Sequence, residues 1–380
     1  MNVKQQSGRQ RRVDAYATVR PVARWPLSPL AALVPLSLLG CADARTTAVV
    51  YASVDAEVAE WAEHAFRDAH PDQAVRIVTL AGDEAVRRLR SEAGAPEADA
   101  VWGLPSWRLA EAASSGLLEA AAPGWAADVP DALKDAGGRW VGVSADPLVL
   151  AFNSDSLSRS RAPRDWVDLL HPRWSGEILL PEPGPVDAMT ALLAQRLWQA
   201  HEEYGDALQG MDWFARMDAW RGGYFADADE AARALADGQG LLALLPLSAA
   251  ESLRGAGRPV DYRVPEAGTP VLVRGVALVA GAPHREVARA FLEWLGSDEA
   301  VRGFLDGTPL LPARGFPGGA APEGGLHPGG AASGASFPWI ERVAPALVPL
   351  WFPADPVAER VEGWVAAWRD DVRGRAANLF

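Results

Sequence analysis

The chain has 380 residues, which is enough for two or three domains with a buried core that needs no metal or disulfide. Hydrophobic residues make up 49% and charged residues 22% of it, which excludes wholesale disorder and a protein with many membrane spans. The 36 basic and 49 acidic residues give a net charge of -13. Because general binding to nucleic acid needs clustered positive charge, we expect no nucleic-acid partner.

The amino-terminal segment has the layout of a secretory signal. Six basic residues and one acid lie within residues 1–24, and an apolar stretch, Trp25–Leu39, follows them. Three prolines and a short length make this stretch unsuited to a permanent membrane helix. It ends in Leu38-Leu39-Gly40-Cys41, which resembles the lipobox of bacterial lipoproteins, where the cysteine carries a diacylglycerol. We expect residues 1–41 to be a lipoprotein signal peptide and Cys41, the only cysteine, to anchor the protein by lipid in the periplasm or cell envelope. The alternative is a buried free cysteine.

From Ala48 onward, short β-rich runs alternate with helical patterns, which is typical of an α/β fold with crossover helices. The predicted strands are Ala48–Tyr51, Ala74–Leu80, Ala98–Trp102, Arg139–Val143, Leu148–Phe152, Glu177–Leu180, Gly240–Leu245, Pro259–Val264 and Val271–Val279. The helices predicted with bounds are Asp83–Ala93, Val186–Glu203, Asp206–Ala219, Asp229–Ala236, Pro283–Leu295 and Asp355–Arg373. A further helix is predicted to contain Val58–Phe66, and two others are predicted to begin at Ser106 and at Pro163.

Four passages between residues 48 and 314 carry distinctive motifs. They are Val50-Tyr51-Ala52-Ser53; Ala98–Trp102 with Gly116-Leu117-Leu118; Gly138–Gly142 with Leu148–Asn153; and Ala162–Ile178, which holds Trp166, Asp168, Leu169, Leu170, Pro172, Arg173, Trp174 and Gly176. Together with a weaker match over Gly275–Leu295, they resemble the extracellular solute-binding proteins of bacterial ABC importers. The resemblance is greatest to the ferric-iron, polyamine and aminoethylphosphonate branch.

The resemblance implies an α/β fold of the two-lobed periplasmic-binding-protein type (type II-like), with a ligand cleft between the lobes. Lobe 1 would comprise residues 42–150 and 270–315, and lobe 2 residues 151–269. A Gly/Pro-rich linker, 316–338, and a C-terminal helical segment, 339–380, match the family poorly and receive no ligand role. The implied function is the substrate-binding component of an ABC transporter. It would be a monomer that captures a small solute or ion, without a cofactor, and delivers it to permease and ATPase subunits.

Strand ends and helix N-termini from both lobes would face this cleft. By position, the expected ligand-binding residues are Tyr51, Ser53, Asp55, Trp102, Gly103, Ser106, Asp146, Gly184, Asp187, Tyr224 and Asp227, with Asp229 beside the last. Each has a structural alternative: Ser106 and Asp187 as helix caps, Gly184 as a turn glycine, Trp102 as core. The charge of the ligand stays open, because carboxylates and aromatic rings favour a cation and helix N-termini favour an anion.

The usual iron site of the family is not expected here. In ferric-binding relatives, adjacent tyrosines follow the strand equivalent to Gly240–Leu245, whereas Pro246-Leu247-Ser248 follows it in this chain. We therefore predict no tyrosinate-to-iron absorption band when ferric ion is added, and we expect no metal ligands.

Two other functions are open. A sensory or scaffold lipoprotein on the same fold would share every motif above, so the sequence does not separate it from an importer component. A secreted hydrolase is disfavoured, because the six histidines are scattered and the chain has no P-loop, nucleophile elbow or dinucleotide-binding motif. We expect no catalytic residues.

Overall fold

The computed structural model describes residues 46–80, 83–184, 187–314 and 347–373, without the side chains of residues 305–307. The strands are β1 (Thr46–Ala52), β2 (Gln73–Thr79), β3 (Ala100–Pro105), β4 (Leu118–Glu119), β5 (Val141–Asn153), β6 (Ile178–Pro181), β7 (Arg221–Phe225), β8 (Leu242–Pro246), β9 (Val260–Arg263), β10 (Thr269–Val279), β11 (Leu311–Pro312) and β12 (Pro349–Leu350). The helices are α1 (Ala56–Ala69), α2 (Glu84–Ser91), α3 (Ser106–Ser114), α4 (Ala188–Tyr204), α5 (Met211–Asp218), α6 (Ala228–Ala236), α7 (Leu247–Gly255), α8 (Arg285–Leu295), α9 (Asp298–Gly307), α10 (Ala354–Ala358) and α11 (Val361–Trp368).

Two long strands carry the sheet from one half of the molecule to the other. The main path of the sheet runs β2-β1-β3-β10-β5-β8-β6-β7. The first part of β5, Val141–Pro147, pairs antiparallel with β10, and its last part, Leu148–Asn153, pairs with β8 and β9. We call β1–β4 with α1–α3, α8 and α9 the first half, and β6–β9 with α4–α7 the second half. Neither half is complete without residues from β5 and β10.

Aromatic side chains fill the core on both sides of these strands. In the first half, the rings of Phe66, Phe291 and Trp294 lie within 6 Å of one another, centre to centre. In the second half, Trp166 and Trp174 are buried around α4. The burial of Trp166 and Trp294 confirms that these tryptophans belong to the core.

Most predicted elements are present, and three differences have local causes. The two strands predicted at Arg139–Val143 and Leu148–Phe152 are one continuous strand, β5. The helix predicted after Pro163 is wrong: Trp166–Leu170 and Pro172–Trp174 form two 3₁₀ turns. Asp165 and Asp168 close the first turn as a capping box, and Pro172 lacks the N–H that a continuing helix would need. Strand β7 was not predicted, because Gly222 and Gly223 weaken the strand pattern.

Several predictions fall on other parts of the chain. The signal segment with Cys41, the linker at 316–338 and the end of the C-terminal segment all lie outside the described residues. None of the helices in the described ranges has the length and hydropathy needed to span a bilayer.

Candidate functional site

Helices from both halves begin directly after strands and point their N-termini toward the same region. In the first half α1 follows β1 and α3 follows β3, and in the second half α6 follows β7 and α7 follows β8. Burial, and then the nearby carboxylates of Asp227 and Asp55, raise the pKa of Asp229 in the first turn of α6. Asp55 precedes α1, so the starts of α1 and α6 lie close enough for their charges to interact. We call the space between these helix starts the cleft.

Asp146 lies at the base of the cleft, in the middle of β5. Its side chain is buried, with 4% exposed, and it accepts hydrogen bonds from the Ser248 N–H (3.1 Å) and the Ser248 hydroxyl (2.5 Å). Ser248 lies in the first turn of α7, so the carboxylate joins β5 to the second half. Burial raises the pKa of Asp146 to about 6, although Ser248 and then Arg274 act in the opposite direction.

Arg274 on β10 is the cationic partner of this carboxylate. It lies opposite Ser144 on β5, and therefore diagonally across from Asp146 on the same face of the sheet. One guanidinium nitrogen donates to the main-chain oxygen of Gly103, 3.1 Å away, at the end of β3. Burial lowers the pKa of Arg274, and the carboxylates of Asp146, Asp187 and Asp55 raise it. The sequence pattern did not single out Arg274, although it is the one charged residue within Val271–Val279.

Asp187 is the N-cap of α4, which confirms that structural interpretation. Its carboxylate accepts from the Thr190 N–H at 2.8 Å and from the Gly184 N–H, while the Thr190 hydroxyl donates to the Gly184 oxygen at 2.5 Å. A Cβ at Gly184 would lie 2.6 Å from Asp187 Oδ2, so the glycine allows this close loop. Burial raises the pKa of Asp187 to about 6. Asp227 caps α6 in the same way, accepting from the Glu230 N–H at 2.8 Å.

The first half contributes main-chain groups at the corresponding positions. Gly103 has a φ of +79°, and a Cβ there would lie 2.6 Å from the Ser53 oxygen. The Ser53 N–H donates to the Trp102 oxygen at 2.9 Å, which joins the ends of β1 and β3. Ser106 is not an N-cap: it is the first residue of α3, which has Pro105 at the capping position. Asp55 precedes α1 without accepting a capping hydrogen bond.

Three aromatic residues of the predicted set make their contacts within the protein. Tyr51 is buried and donates from its hydroxyl to Glu92 at 2.8 Å, and burial followed by Glu92 raises its pKa to about 12. Trp102 is buried, with its ring edge-on to Phe291. Tyr224 donates to Asp218 at 2.5 Å and packs against Trp368. The structure therefore brings the predicted carboxylates and glycines together without these three rings.

A cavity of about 240 Å³ opens at one side of the cleft. The first half supplies Asp83 and Arg108, and the second half supplies Thr190 in the first turn of α4. The remaining wall is formed by Val361, Glu362 and Val365 of α11 with Arg369. This volume lies just below the range usual for drug-sized ligands. The sequence did not predict any of these residues as part of a site. It shows the apolar face of α11, but not the elements against which that face packs.

The described residues offer no ready-made metal centre. No three histidine, cysteine, aspartate or glutamate side chains lie together in an arrangement that could hold a metal ion in this part of the chain. The carboxylates of Asp146, Asp187 and Asp227 instead bind main-chain N–H groups and, for Asp146, the Ser248 hydroxyl. Asp146 and Asp187 also lie near Arg274.

Comparisons with known proteins identify the family and the fold of the chain. Residues 108–328 match the family model described as bacterial extracellular solute-binding protein. The chain is 30% identical over 279 residues to y4fP of Sinorhizobium fredii, described as a probable ABC transporter periplasmic-binding protein, which covers 70% of this chain and 75% of the relative. It is 26% identical to iron uptake protein A2 of Synechocystis over 63% of this chain and 72% of that protein.

Solved structures share the fold over most of the chain. Iron-bound HitA from Pseudomonas aeruginosa superposes with a TM-score of 0.69 at 22% identity, covering 84% of this chain and 98% of HitA. AfuA from Actinobacillus pleuropneumoniae, with fructose-6-phosphate bound, superposes with a TM-score of 0.68 at 19% identity, covering 86% of this chain and 99% of AfuA. The fold is the two-lobed α/β fold of periplasmic binding proteins. The chain belongs to the bacterial extracellular solute-binding protein family.

Proposed function

We propose that this protein captures a small solute in the cleft and delivers it, unchanged, to the permease of an ABC importer. The observation that carries the proposal is the charged centre at the base of the cleft. Asp146 and Arg274 lie on the two strands shared by the halves, and Asp187 and Ser248 reach them from the second half. Polar groups from both sides can therefore surround one small molecule.

Capture and release follow from the connection between the halves. Only a solute that contacts both halves favours the closed arrangement over an open one, so closure is a shift in population. The bond between Asp146 and Ser248 and the bond between Arg274 and Gly103 join the shared strands to opposite halves. A solute bound between them would add contacts that exist only when both halves are in place.

The charge balance of the cleft favours a solute with a cationic group, such as an amine. The carboxylates of Asp146, Asp187 and Asp55 lie near the guanidinium of Arg274, and those of Asp227 and Asp229 lie near Asp55. A positive group placed among them gains more than a negative one. HitA is iron-bound and AfuA has fructose-6-phosphate bound, so an iron compound and a sugar phosphate both belong in the test.

Tyrosinate ligation of ferric ion is not supported. The hydroxyls of Tyr51, Tyr224 and Tyr262 each donate to a carboxylate, of Glu92, Asp218 and Glu251 respectively. Ser248 stands after β8, where ferric-binding relatives are expected to have tyrosine. We expect no visible charge-transfer band when ferric citrate is added; such a band would contradict this part of the proposal.

A thermal-shift screen of the purified protein tests the function. The panel is putrescine, spermidine, thiamine, aminoethylphosphonate, fructose 6-phosphate, ferric citrate and neutral sugars. We expect an amine to raise the melting temperature, because a ligand specific for the folded state stabilises it by mass action. Asp187→Asn should reduce this shift, and Asp212→Asn on the exposed side of α5 should leave it unchanged. No shift with any compound would favour a scaffold or sensor, and turnover of a compound would favour a hydrolase.

Membrane attachment through Cys41 is a separate proposal. The lipobox-like sequence Leu38–Cys41 supports it. Cys41→Ser should move the protein from the membrane fraction to the soluble fraction of cells, because one thioether carries the diacylglycerol. An unmodified N-terminus on the wild-type protein in mass spectrometry would contradict it.

A further inference from the structure

The C-terminal segment, residues 347–373, runs from the shared strands across both halves. It begins with β12, which pairs in parallel with Thr269 and Pro270 at the start of β10. Next, α10 packs on α3 of the first half. Then α11 packs on α4, and the π-helical turn Arg369–Arg373 packs on α5, both in the second half. One short stretch of chain thus touches both sides of the cleft.

Buried side chains fix the segment at each end of this path. The Phe352 ring lies 6.2 Å from that of Trp107 at the start of α3. Further along, Trp368 is 1% exposed and packs edge-on against Tyr224, 5.4 Å between ring centres. Arg373 forms an ion pair with Glu182 at 2.5 Å, in the loop that leads to α4. The segment is a packed part of the fold on both sides of the cleft.

The cavity at the side of the cleft has this segment as its outer wall. Val361 and Val365 give the wall an apolar surface, with Glu362 and Arg369 beside them. Thr190 lies on the second-half side, where the Asp187 carboxylate caps the same turn of α4. The cavity therefore adjoins the charged centre of the cleft.

An ion pair connects the wall to the first half. Arg108 on α3 donates to Glu362 on α11 at 3.0 Å and to Glu111 on its own helix at 2.7 Å. The Arg108 side chain is 5% exposed, whereas that of Glu362 is 70% exposed. The Arg108 side chain is therefore enclosed by the fold, whereas most of the Glu362 side chain lies in solvent.

We infer that α11 is a wall of the solute site and that the Arg108–Glu362 ion pair controls entry to it. This inference rests on the proposed function for the identity of the bound molecule as a transported solute. The movement of α11 does not depend on that function. Movement of α11 away from α3 would widen the way into the cavity on this side, and it would break the ion pair between Arg108 and Glu362. Val361 and Val365 then limit the size of the part of the solute that fits.

The first experiment measures access to the cavity without a solute. In a Cys41→Ser background, Val365→Cys places a thiol on the cavity wall, and its rate of modification by N-ethylmaleimide is followed by mass spectrometry. Glu362→Lys should raise this rate about tenfold, because repulsion by Arg108 replaces attraction. Glu359→Lys makes the same change of charge on an exposed position of the segment and should leave the rate unchanged.

A second cysteine position separates gating from general loosening of the fold. Val287 is buried on α8, in the first-half core away from the cavity. Val287→Cys should be modified at the same rate with and without Glu362→Lys. Equal rates at Val365→Cys in the two lysine variants would overturn the inference, and so would an equal acceleration at both cysteine positions.

The second experiment uses any compound that raises the melting temperature in the screen described above. Val365→Trp fills the cavity and should abolish that shift, while Ala366→Trp adds the same side chain on the exposed face of α11 and should preserve it. A shift that survives Val365→Trp contradicts the role of α11 and leaves the proposed function intact. If no compound shifts the wild type, the proposed function fails, and the labelling rates alone decide whether α11 gates the cavity.

Discussion

At the edge of the first half, β3 passes into α3 through Gly103 and Pro105, and the groups that reach the cleft there are main-chain oxygens such as that of Gly103. At the edge of the second half, the corresponding helix starts carry Asp187, Asp227 and Ser248, whose side chains all make hydrogen bonds. The first half thus gives the cleft its close main-chain packing, and the second half gives it most of its charge. Substitutions on the first-half side should therefore act through packing, and those on the second-half side through charge and hydrogen bonding.

The largest effect is expected at Gly103. Alanine there would take up a left-handed φ of +79° and bring its Cβ to within 2.6 Å of the Ser53 oxygen. We expect Gly103→Ala to lower the free energy of unfolding by about 3–5 kcal/mol, measured by urea denaturation. Gly94→Ala is the control: its φ is +97°, but nothing lies within 4 Å of the added Cβ. It should cost about 1–2 kcal/mol, and equal losses at the two positions would contradict the close packing at Gly103.

A pH-dependent effect of similar size is expected at Asp146. Burial raises its pKa from 3.8 in an ordinary environment to about 6, so the folded protein binds this proton more tightly than the unfolded chain. The group therefore stabilises the fold at low pH, and this contribution is lost as the pH rises from about 4 through about 6. Relative to Asp146→Asn, the wild type should lose about 3 kcal/mol of unfolding free energy in total, from well below to well above these two pKa values. Parallel pH profiles for the two proteins would contradict the burial argument.

The next effect concerns the bond between β5 and α7. Ser248→Ala removes the hydroxyl that donates to Asp146 at 2.5 Å, and leaves a buried carboxylate with one hydrogen bond fewer. We expect a loss of about 1–3 kcal/mol at neutral pH, which becomes smaller in acid as the carboxylate is protonated. Ser252→Ala, at an exposed position of the same helix, should change stability by less than about 0.5 kcal/mol. A loss that does not depend on pH would indicate that the hydroxyl acts through packing alone.

The smallest effect distinguishes the helix starts of the two halves. Asp227→Ala removes a capping bond of 2.8 Å to the Glu230 N–H and should cost about 1 kcal/mol. Asp55→Ala removes no capping bond from α1 and should cost less, or even stabilise the protein by relieving repulsion on Asp229. Thermal melts of the two variants at the same pH compare their losses of stability. A larger loss for Asp55→Ala than for Asp227→Ala would contradict this prediction.

The parts of the fold that depend on neighbouring residues could be predicted from the sequence. Caps such as Asp187 and Asp227 follow from the residue type before a helical pattern, and the apolar stripe of the last helix is buried as predicted, at Val361, Val365 and Trp368 among others. The 3₁₀ turns after Pro163 could not be predicted in this way. The capping residues Asp165 and Asp168 lie within a stretch whose apolar residues have helical spacing, and the two patterns indicate different structures.

The parts of the site that depend on distant residues could not be predicted. Arg274 meets Gly103 only because β10 lies between β3 and β5, a pairing across 171 residues. Tyr51 stands at a strand end, as expected for a ligand contact, but alternation along β1 directs its side chain toward α2 and Glu92. The docking of α11 on α4 likewise depends on tertiary packing, which one sequence does not display.

The position of β10 in the chain has a consequence for the order of events during synthesis. It lies between β3 and β5 in the sheet, yet its residues, Thr269–Val279, come more than a hundred positions after either neighbour. A growing polypeptide that has reached α7 holds β3 and β5 with their shared partner still missing. The strands β1, β2 and β3 can pair before it, but the pairings of β3 and of the first part of β5 with β10 must wait for the late arrival of that strand. Such long-range pairing slows folding. The sheet that joins the two halves therefore stays incomplete until nearly three quarters of the chain has been made, a state compatible with threading through a membrane pore.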